Sequence, residues 1–322
     1  MAALPELSLP ALVDLRRVSP EMLGGVLDEE VRVWRERLDW DFRASAELVL
    51  RFVGMRSLSG YALVAGEQAL GYSYFVCEEN KGLIGDLYVL AEFSSIENEN
   101  LLLEGVLDAL AAVPFVHRVE CQLMMLTSCF GRPLPRAAVA RIHRRNYMSI
   151  DVDAVRSLPA GRLPAALRIE AWTERRQDEA ARLIARSYQG HIDSEINDQY
   201  RSTAGARRFL NNIIQYPGCG AFLPSASLVA VEPHTGRVLA MCLASVVAID
   251  VGHVTQICVD PAARGAGAGY EILRQSLLAL ADHGCRSVSL TVTAANREAI
   301  RLYDRMGFTI GRSFAAYVWD GI

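Results

Sequence analysis

The hydrophobic pattern of the first half of the chain returns, element by element, in the second. In the first half an alternating hairpin over 61–76 turns at Gly66, and is followed by a strand at 82–89, a helix-period segment at 100–113 and a strand at 118–124. In the second half 227–231 and 238–249 form a hairpin across Pro233 to Gly236. A strand at 253–259, a long helix, a strand at 287–293, a helix at 297–306 and a last strand around 314–319 come after it. Setting Val89 on Val259 gives an offset of 170 residues, and setting Leu70 on Leu239 gives 169, so the elements stay in step. A chain with this self-similarity is expected to build one fold twice.

With 322 residues there is enough sequence for two cores. The stretch RSLPAGRLPAA at 156–166 brings two prolines and a glycine between periodic segments and reads as a linker, which divides the chain into domains at 1–155 and 167–322. After it 167–172 reads as a strand. A helix is expected over 174–188 with Ala180, Leu183, Ile184 and Ser187 on one face, and another over 205–215.

Composition removes several functions. The formal charge is −4, from 33 Lys+Arg against 37 Asp+Glu, so no broad basic field exists to collect nucleic acid or anionic lipid. Lys81 is the only lysine, which leaves Schiff-base chemistry one candidate. The seven cysteines are scattered, with no CxxC pair, and are expected to be buried thiols in a reducing cytoplasm rather than metal ligands. No basic start precedes an apolar block at the N-terminus. The longest apolar stretch, near 238–249, is too short to span a bilayer, so neither export nor a membrane partner is expected.

The chemistry concentrates between the strand ending at Val259 and the long helix, where Asp260-Pro261-Ala262-Ala263 leads into Arg264-Gly265-Ala266-Gly267-Ala268-Gly269. Glycines let backbone approach a ligand, successive N–H groups converge, the helix N-terminus adds its positive end, and Arg264 adds a full charge. Such a loop suits a pyrophosphate. It is neither a dinucleotide fingerprint, since the third glycine comes one residue early and position 289 is a serine, nor a P-loop, since no Gly-Lys-Ser/Thr follows.

Arg-x-x-Gly-x-Gly after a strand ending Ile257-Cys258-Val259 resembles the GNAT superfamily of acyl-coenzyme A-dependent N-acyltransferases. Asn296-Arg297-Glu298-Ala299-Ile300-Arg301-Leu302-Tyr303, closing on Met306-Gly307-Phe308, is similar to that family's second cofactor segment. The resemblance covers roughly 167–319 strongly and the first half by element order. It implies an α+β fold of two tandem GNAT-like domains, each a mixed, largely antiparallel sheet flanked by helices. It also implies an N-acetyltransferase using acetyl-coenzyme A, with a small-molecule or peptide amine as acceptor. In such an enzyme backbone groups of Ile257 and Val259, in the segment with Cys258, would bind the pantetheine arm. The pyrophosphate would lie on the loop from Arg264 to Gly269, with Asn296 as a further contact. Tyr303 would be the general acid. A tyrosine near pKa ~10 protonating a thiolate near ~8.5 works uphill by about 2 kcal/mol, a gap that position or a cation such as Arg301 can offset.

Other residues carry two readings. Tyr303 is at helical spacing from Ala299 and Ile300, which also suits a core aromatic. His253 shares a strand face with Thr255, Ile257 and Val259 by two-residue alternation. It is either the base that takes the amine proton, where some family members place a glutamate, or a polar residue opening a strand. Asp193 and Glu195, in QGHIDSEINDQY at 189–200, either attract a cationic amine or belong to a solvated loop. At the offset of 170, the glycine loop corresponds to Ser94 to Glu99, SSIENE, where Glu97 and Glu99 would repel a pyrophosphate, so the first half is expected to be a degenerate partner without coenzyme A. The segment 136–145 is expected to be a worn copy of the helix before Gly307. A protein that binds acyl-coenzyme A without turning it over, as sensor or scaffold, is the competing reading.

Overall fold

The computed structural model describes residues 10–163 and 165–322. Residues 1–9, part of the start read above as lacking a leader, and Pro164 of the expected linker lie outside the described residues. Two compact units form: one runs to His143 and takes up Phe314–Ile322 again at the end of the chain, and the other is Arg144–Ser313.

The first unit opens with β1 (Ala11–Asp14), α1 (Pro20–Leu38) and α2 (Arg43–Gly54). A meander of β2 (Ser59–Ala65), β3 (Gln68–Glu78) and β4 (Lys81–Val89) follows, then α3 (Ile96–Ala111) and β5 (Arg118–Leu123). Neighbours in the order β1-β2-β3-β4 are antiparallel, β4 and β5 run parallel around the α3 crossover, and the last residues of the chain pair antiparallel with β5. Leu102, Leu103, Val106, Leu107 and Leu110 lie fully buried along one face of α3 against this sheet. At about 1.5–3 kcal/mol for each large apolar side chain, that stripe alone fixes the helix on its sheet.

Strand β6 (Ala140–Asp151) begins in the first unit and from Arg144 belongs to the second. There follow α4 (Val152–Arg156), β7 (Arg168–Ala171), α5 (Gln177–Ser187), the single turn α6 (Asp193–Ile196) and α7 (Thr203–Gln215). Next come β8 (Ala221–Phe222), β9 (Leu228–Val231), β10 (Val238–Ala248), β11 (Val251–Val259) and α8 (Ala268–Asp282). The unit ends with β12 (Ser287–Thr293), α9 (Arg297–Met306) and the start of β13 (Thr309–Asp320). Its sheet runs β6-β12-β11-β10-β9-β7, antiparallel except for the parallel pair β11/β12 around α8. Ile272, Leu273, Leu277 and Leu280 of α8 fill one side of the sheet, and Ala180, Leu183 and Ile184 of α5 fill the other with Leu210 of α7. Both units are mixed, largely antiparallel sheets flanked by helices.

The repeat holds at single-residue precision around the functional loop. Strand β4 at 81–89 and β11 at 251–259 differ by 170 at both ends. Gly85 and Thr255, again 170 apart, are each an extra residue in their strand: Tyr74 and Phe75 pair with Asp86 and Ile84, and Leu243 and Ala244 pair with Gln256 and Val254. Parallel pairing to the next strand stops just before each bulge, at Ile84 and at Val254.

Two expectations are corrected. Residues 136–145 are not a worn helix. They lead into β6, where Met148 and Ile150 alternate into the core and residues 145–151 pair with the whole length of β12, whose backbone groups on that edge need partners. The stretch 156–166 is not where the units part. Its Gly161 N–H donates to Glu271 Oε2 of α8 at 2.7 Å and its Pro159 C=O accepts the Tyr270 hydroxyl at 2.8 Å, so residues 159–161 are held on the second unit. The break falls inside β6 and β13, because each unit's sheet takes one of its strands from the far part of the chain.

Candidate active site

Where β11 passes its bulge it no longer pairs with β12, and the two strands diverge. The Asp260 N–H donates to the Leu239 C=O at 2.8 Å, so residues 260 and 258 aim their backbone groups at β10, and Ile257 and Val259 aim theirs at the open side. That open side walls a cavity of about 390 Å³, to which Ile257, Cys258, Val259, Asn296 and Tyr303 contribute.

The loop after β11 floors the same cavity with Arg264, Gly265, Gly267 and Gly269. Asp260, buried, starts it: Oδ1 accepts the Ala262 N–H at 3.0 Å and Oδ2 accepts Arg186 Nε at 2.9 Å. Gly265 and Gly267 have φ of +76° and +88°, a region that L-residues with a Cβ avoid. A Cβ on Gly267 would stand 2.6 Å from the Arg162 carbonyl oxygen. No side chain caps α8, whose N-cap is Gly267, so the first-turn N–H groups are left to the cavity. Ala266 is exposed on the loop and Ala268 is buried beneath it, so neither lines the cavity. Arg264 donates from Nε to the Val259 C=O at 3.3 Å and from Nη2 to the Ser187 C=O at 2.9 Å, tying the loop to β11 and α5 with its charge at the cavity wall.

A second, smaller cavity of about 110 Å³ shares Tyr188, Ile257, Asn296, Ala299 and Tyr303 with the first. Its own lining includes Arg145 from β6, Asp193, Tyr200, Gln256 and Thr291. Tyr303 is buried, tilts against Phe308 at 5.7 Å, and its hydroxyl hydrogen-bonds no described residue. Burial pushes its pKa well above that of an ordinary tyrosine, so it holds its proton. Cys258 in the neighbouring wall is pushed up to about 12 by the same desolvation. Asn296 caps α9, its Oδ1 accepting the Ala299 N–H at 3.2 Å, which puts its side chain between the two cavities. A chain of hydrogen bonds runs from the Tyr200 hydroxyl to Gln256 Oε1 at 3.3 Å and from Gln256 Nε2 to the Tyr188 hydroxyl at 2.8 Å. It ends where that hydroxyl donates to the Ile257 C=O at 3.3 Å.

The structure separates other candidates from this place. His253 lines neither cavity. The bulge at Thr255 inserts one residue, so alternation restarts and His253 falls on the face opposite Ile257 and Val259. It is buried, with Nδ1 2.8 Å from Ser289 Oγ and its ring stacked on Tyr147. Burial, with Arg145 adding to it, lowers its pKa to about 3. A histidine held that far below neutrality is too weak a base for an ammonium group. Of the two acids, Asp193 lines the small cavity, where Thr293 Oγ1 donates to its Oδ1, whereas Glu195 is exposed on α6 and lines neither. Arg301 is exposed as well, and Arg305, one turn on, reaches the larger cavity instead. Arg145 went unnoticed in the sequence because its segment was read as a helix of the first half.

The first unit has the same divergence of strands but fills it. Glu99, which corresponds to Gly269, turns inward and is buried. Its Oε1 accepts the Thr127 N–H at 2.8 Å and its Oε2 accepts Arg132 Nη1 at 2.5 Å. A carboxylate of the chain itself thus sits close to the start of α3, paired with a buried arginine.

Comparison with known proteins agrees with this geometry. The sequence profile of the Acetyltransferase (GNAT) family matches residues 170–308. The mycothiol acetyltransferase of Thermobispora bispora is 28% identical over 265 residues, 81% of this chain and 84% of that protein. The mycothiol acetyltransferase of Mycobacteroides abscessus is 40% identical over 67 residues, 21% of this chain and 23% of that protein. Among solved structures, a GCN5-related N-acetyltransferase from Sphaerobacter thermophilus superposes over 97% of both chains with a TM-score of 0.65 at 20% identity. A tandem GNAT protein from the clavulanic acid biosynthesis pathway does so over 97% of this chain and 99% of its own, at 0.61 and 14%. The last two likenesses concern the fold.

Proposed function

The chain belongs to the GNAT superfamily of N-acetyltransferases, and we propose that its second unit passes the acetyl group of acetyl-coenzyme A directly to the primary amine of a small molecule within a ternary complex. The observation that carries this reading is the Tyr303 hydroxyl, buried, unbonded to described residues and common to two cavities of different character. The residues suit the cofactor. The loop from Arg264 to Gly269 offers uncapped helix N–H groups and a guanidinium to a pyrophosphate, and a Cβ on Gly267 would collide with backbone. The open edge of β11 at Ile257 and Val259 offers backbone groups to the pantetheine arm, and Asn296 lies where the two cavities meet.

When bound, acetyl-coenzyme A supplies an activated acyl carbon and a thiolate leaving group. The chain's own groups supply the rest. Asp193 draws the acceptor's ammonium form into the small cavity and is the carboxylate positioned to receive its proton, the part that His253 cannot play. Tyr303 keeps its proton at the junction and gives it to the departing sulfur. Burial makes the tyrosine a weaker acid, and it raises the Cys258 thiol lining the same cavity as well, so a thiolate formed there is also a stronger base than in water. Direct attack is favoured over a covalent enzyme intermediate, because burial keeps Cys258 a thiol, and His191, the histidine lining the same cavity, is turned to Asp193, its Nδ1 accepting the Asp193 N–H at 3.2 Å. The mycothiol acetyltransferase activity named for the relatives supports a small-molecule acceptor over a peptide.

Tyr303→Phe keeps the ring and removes the proton donor. Turnover is expected to fall about 10²- to 10⁴-fold while the coenzyme A dissociation constant stays within about twofold. Turnover near that of the unaltered protein would take Tyr303 out of the reaction.

A further inference from the structure

We propose that the acceptor carries an anionic oxyacid group, a carboxylate or a phosphate, on the same molecule as its amine, and that Arg145 receives that group. The inference rests on the acetyltransferase reading for the role of the amine, and on Arg145 alone for the anion.

Arg145 lines the small cavity and not the large one, so it is placed for the acceptor rather than for the pyrophosphate. It sits on β6 opposite Thr293 of β12, half-buried, and donates from Nη2 to Thr291 Oγ1 at 3.1 Å. Its Nε is buried and has no hydrogen-bond acceptor. Among the described residues no carboxylate is within ion-pair distance of it, although Asp193 lines the same cavity and is engaged by Thr293 and His191 instead. A half-buried guanidinium with an unmet buried donor is costly unless an acceptor arrives from outside. The planar fork of an arginine fits two oxygens of one anionic group better than it fits any neutral acceptor. With Asp193 for the ammonium and Arg145 for the oxyanion, the cavity holds one charge of each sign, unpaired with each other, beside the Tyr303 hydroxyl. That arrangement matches a zwitterion.

The test uses two matched pairs, β-alanine against β-alaninamide and O-phosphoethanolamine against ethanolamine, with the full chain, Arg145→Gln and Arg145→Lys. Each amine is titrated calorimetrically onto the protein saturated with coenzyme A, and kcat/KM is measured with acetyl-coenzyme A. The unaltered protein is expected to prefer the anionic member of at least one pair about 10- to 100-fold, and which pair responds distinguishes carboxylate from phosphate. Arg145→Gln should bring that preference to about one, Arg145→Lys should keep part of it, and an unchanged coenzyme A affinity shows that both variants are folded. No preference in the unaltered protein, binding by neither anionic amine, or a preference that survives Arg145→Gln overturns the proposal. Binding that depends on Arg145 without any acetylation leaves the anion site standing and overturns the transferase reading. Acetylation of both members alike does the reverse.

Discussion

Gly267 is the residue at which the loop becomes α8, and a single added methyl there meets two obstacles. Its φ of +88° costs a residue with a Cβ about 1–2 kcal/mol, and the methyl would stand 2.6 Å from the Arg162 carbonyl oxygen. That oxygen cannot easily retreat, because the segment bearing it is pinned to α8 by the Gly161 N–H on Glu271 and the Tyr270 hydroxyl on Pro159. Gly267→Ala must therefore displace the first turn of the helix, and with it the N–H groups that face the cavity. Gly265 is a built-in control: its φ is +76°, yet nothing lies within 4 Å of an added Cβ, so Gly265→Ala bears the backbone cost alone. Calorimetric titration with coenzyme A at one fixed salt concentration should show affinity reduced at least tenfold, about 1.4 kcal/mol, for Gly267→Ala, and reduced by less than about threefold for Gly265→Ala. Unchanged affinity in Gly267→Ala, or a larger loss in Gly265→Ala, would refute the assignment of this loop to the pyrophosphate.

Two further outcomes follow from buried titratable groups. Glu30 is fully buried in the first unit, where desolvation, and then the charge of the adjacent Asp86, push its pKa well up despite donations from the Tyr72 hydroxyl at 2.8 Å and Trp34 Nε1 at 3.2 Å. The folded chain therefore holds a proton the unfolded chain releases above pH ~4.3. Stability is complete below that pH and falls as pH rises towards the folded value, by up to about 1.4 kcal/mol per unit. Urea unfolding at several pH values should show this slope, and Glu30→Gln should flatten it; an equal slope in the variant would refute the assignment. His253→Gln keeps a polar group against Ser289, and should lower kcat/KM by less than about tenfold with an unchanged pH profile, since a base with pKa about 3 does not titrate in the working range. Loss of an ionisation near neutrality in that variant would restore the histidine as base.

The sequence was informative where local chemistry decides the outcome. Strand and helix periods located the longer elements of the second unit from β7 onward but not α4, α6 or β8, and the glycines of the loop announced a backbone that only glycine adopts readily. The offset of 170 was legible from apolar residues alone, and the structure extends it to the bulges at Gly85 and Thr255. Those bulges were the hidden element. No residue type marks them, and a single inserted residue reverses the facing of everything before it, which is why His253 was assigned to the wrong side. Helices α1 and α2 had no reading, and in α1 the apolar stripe is interrupted by Glu30, whose burial depends on partners in β3 and β4. The exchange of strands that brings Arg145 to the site was equally invisible, since pairing partners 146 residues apart leave no local mark. Glu99 was read as a charge that would repel a phosphate, but not as the buried partner of an arginine, because Arg132 lies 33 residues further on.

Acetyl transfer by this chain is tested most directly by release of free coenzyme A thiol from acetyl-coenzyme A across a panel of amines, paired with a calorimetric titration of coenzyme A on the same protein. Thiol release that depends on the amine is expected, with one cofactor site per chain, because Glu99 and Arg132 occupy the corresponding place in the first unit. Tight binding with no amine-dependent release from any acceptor, or two equivalent sites per chain, would contradict it.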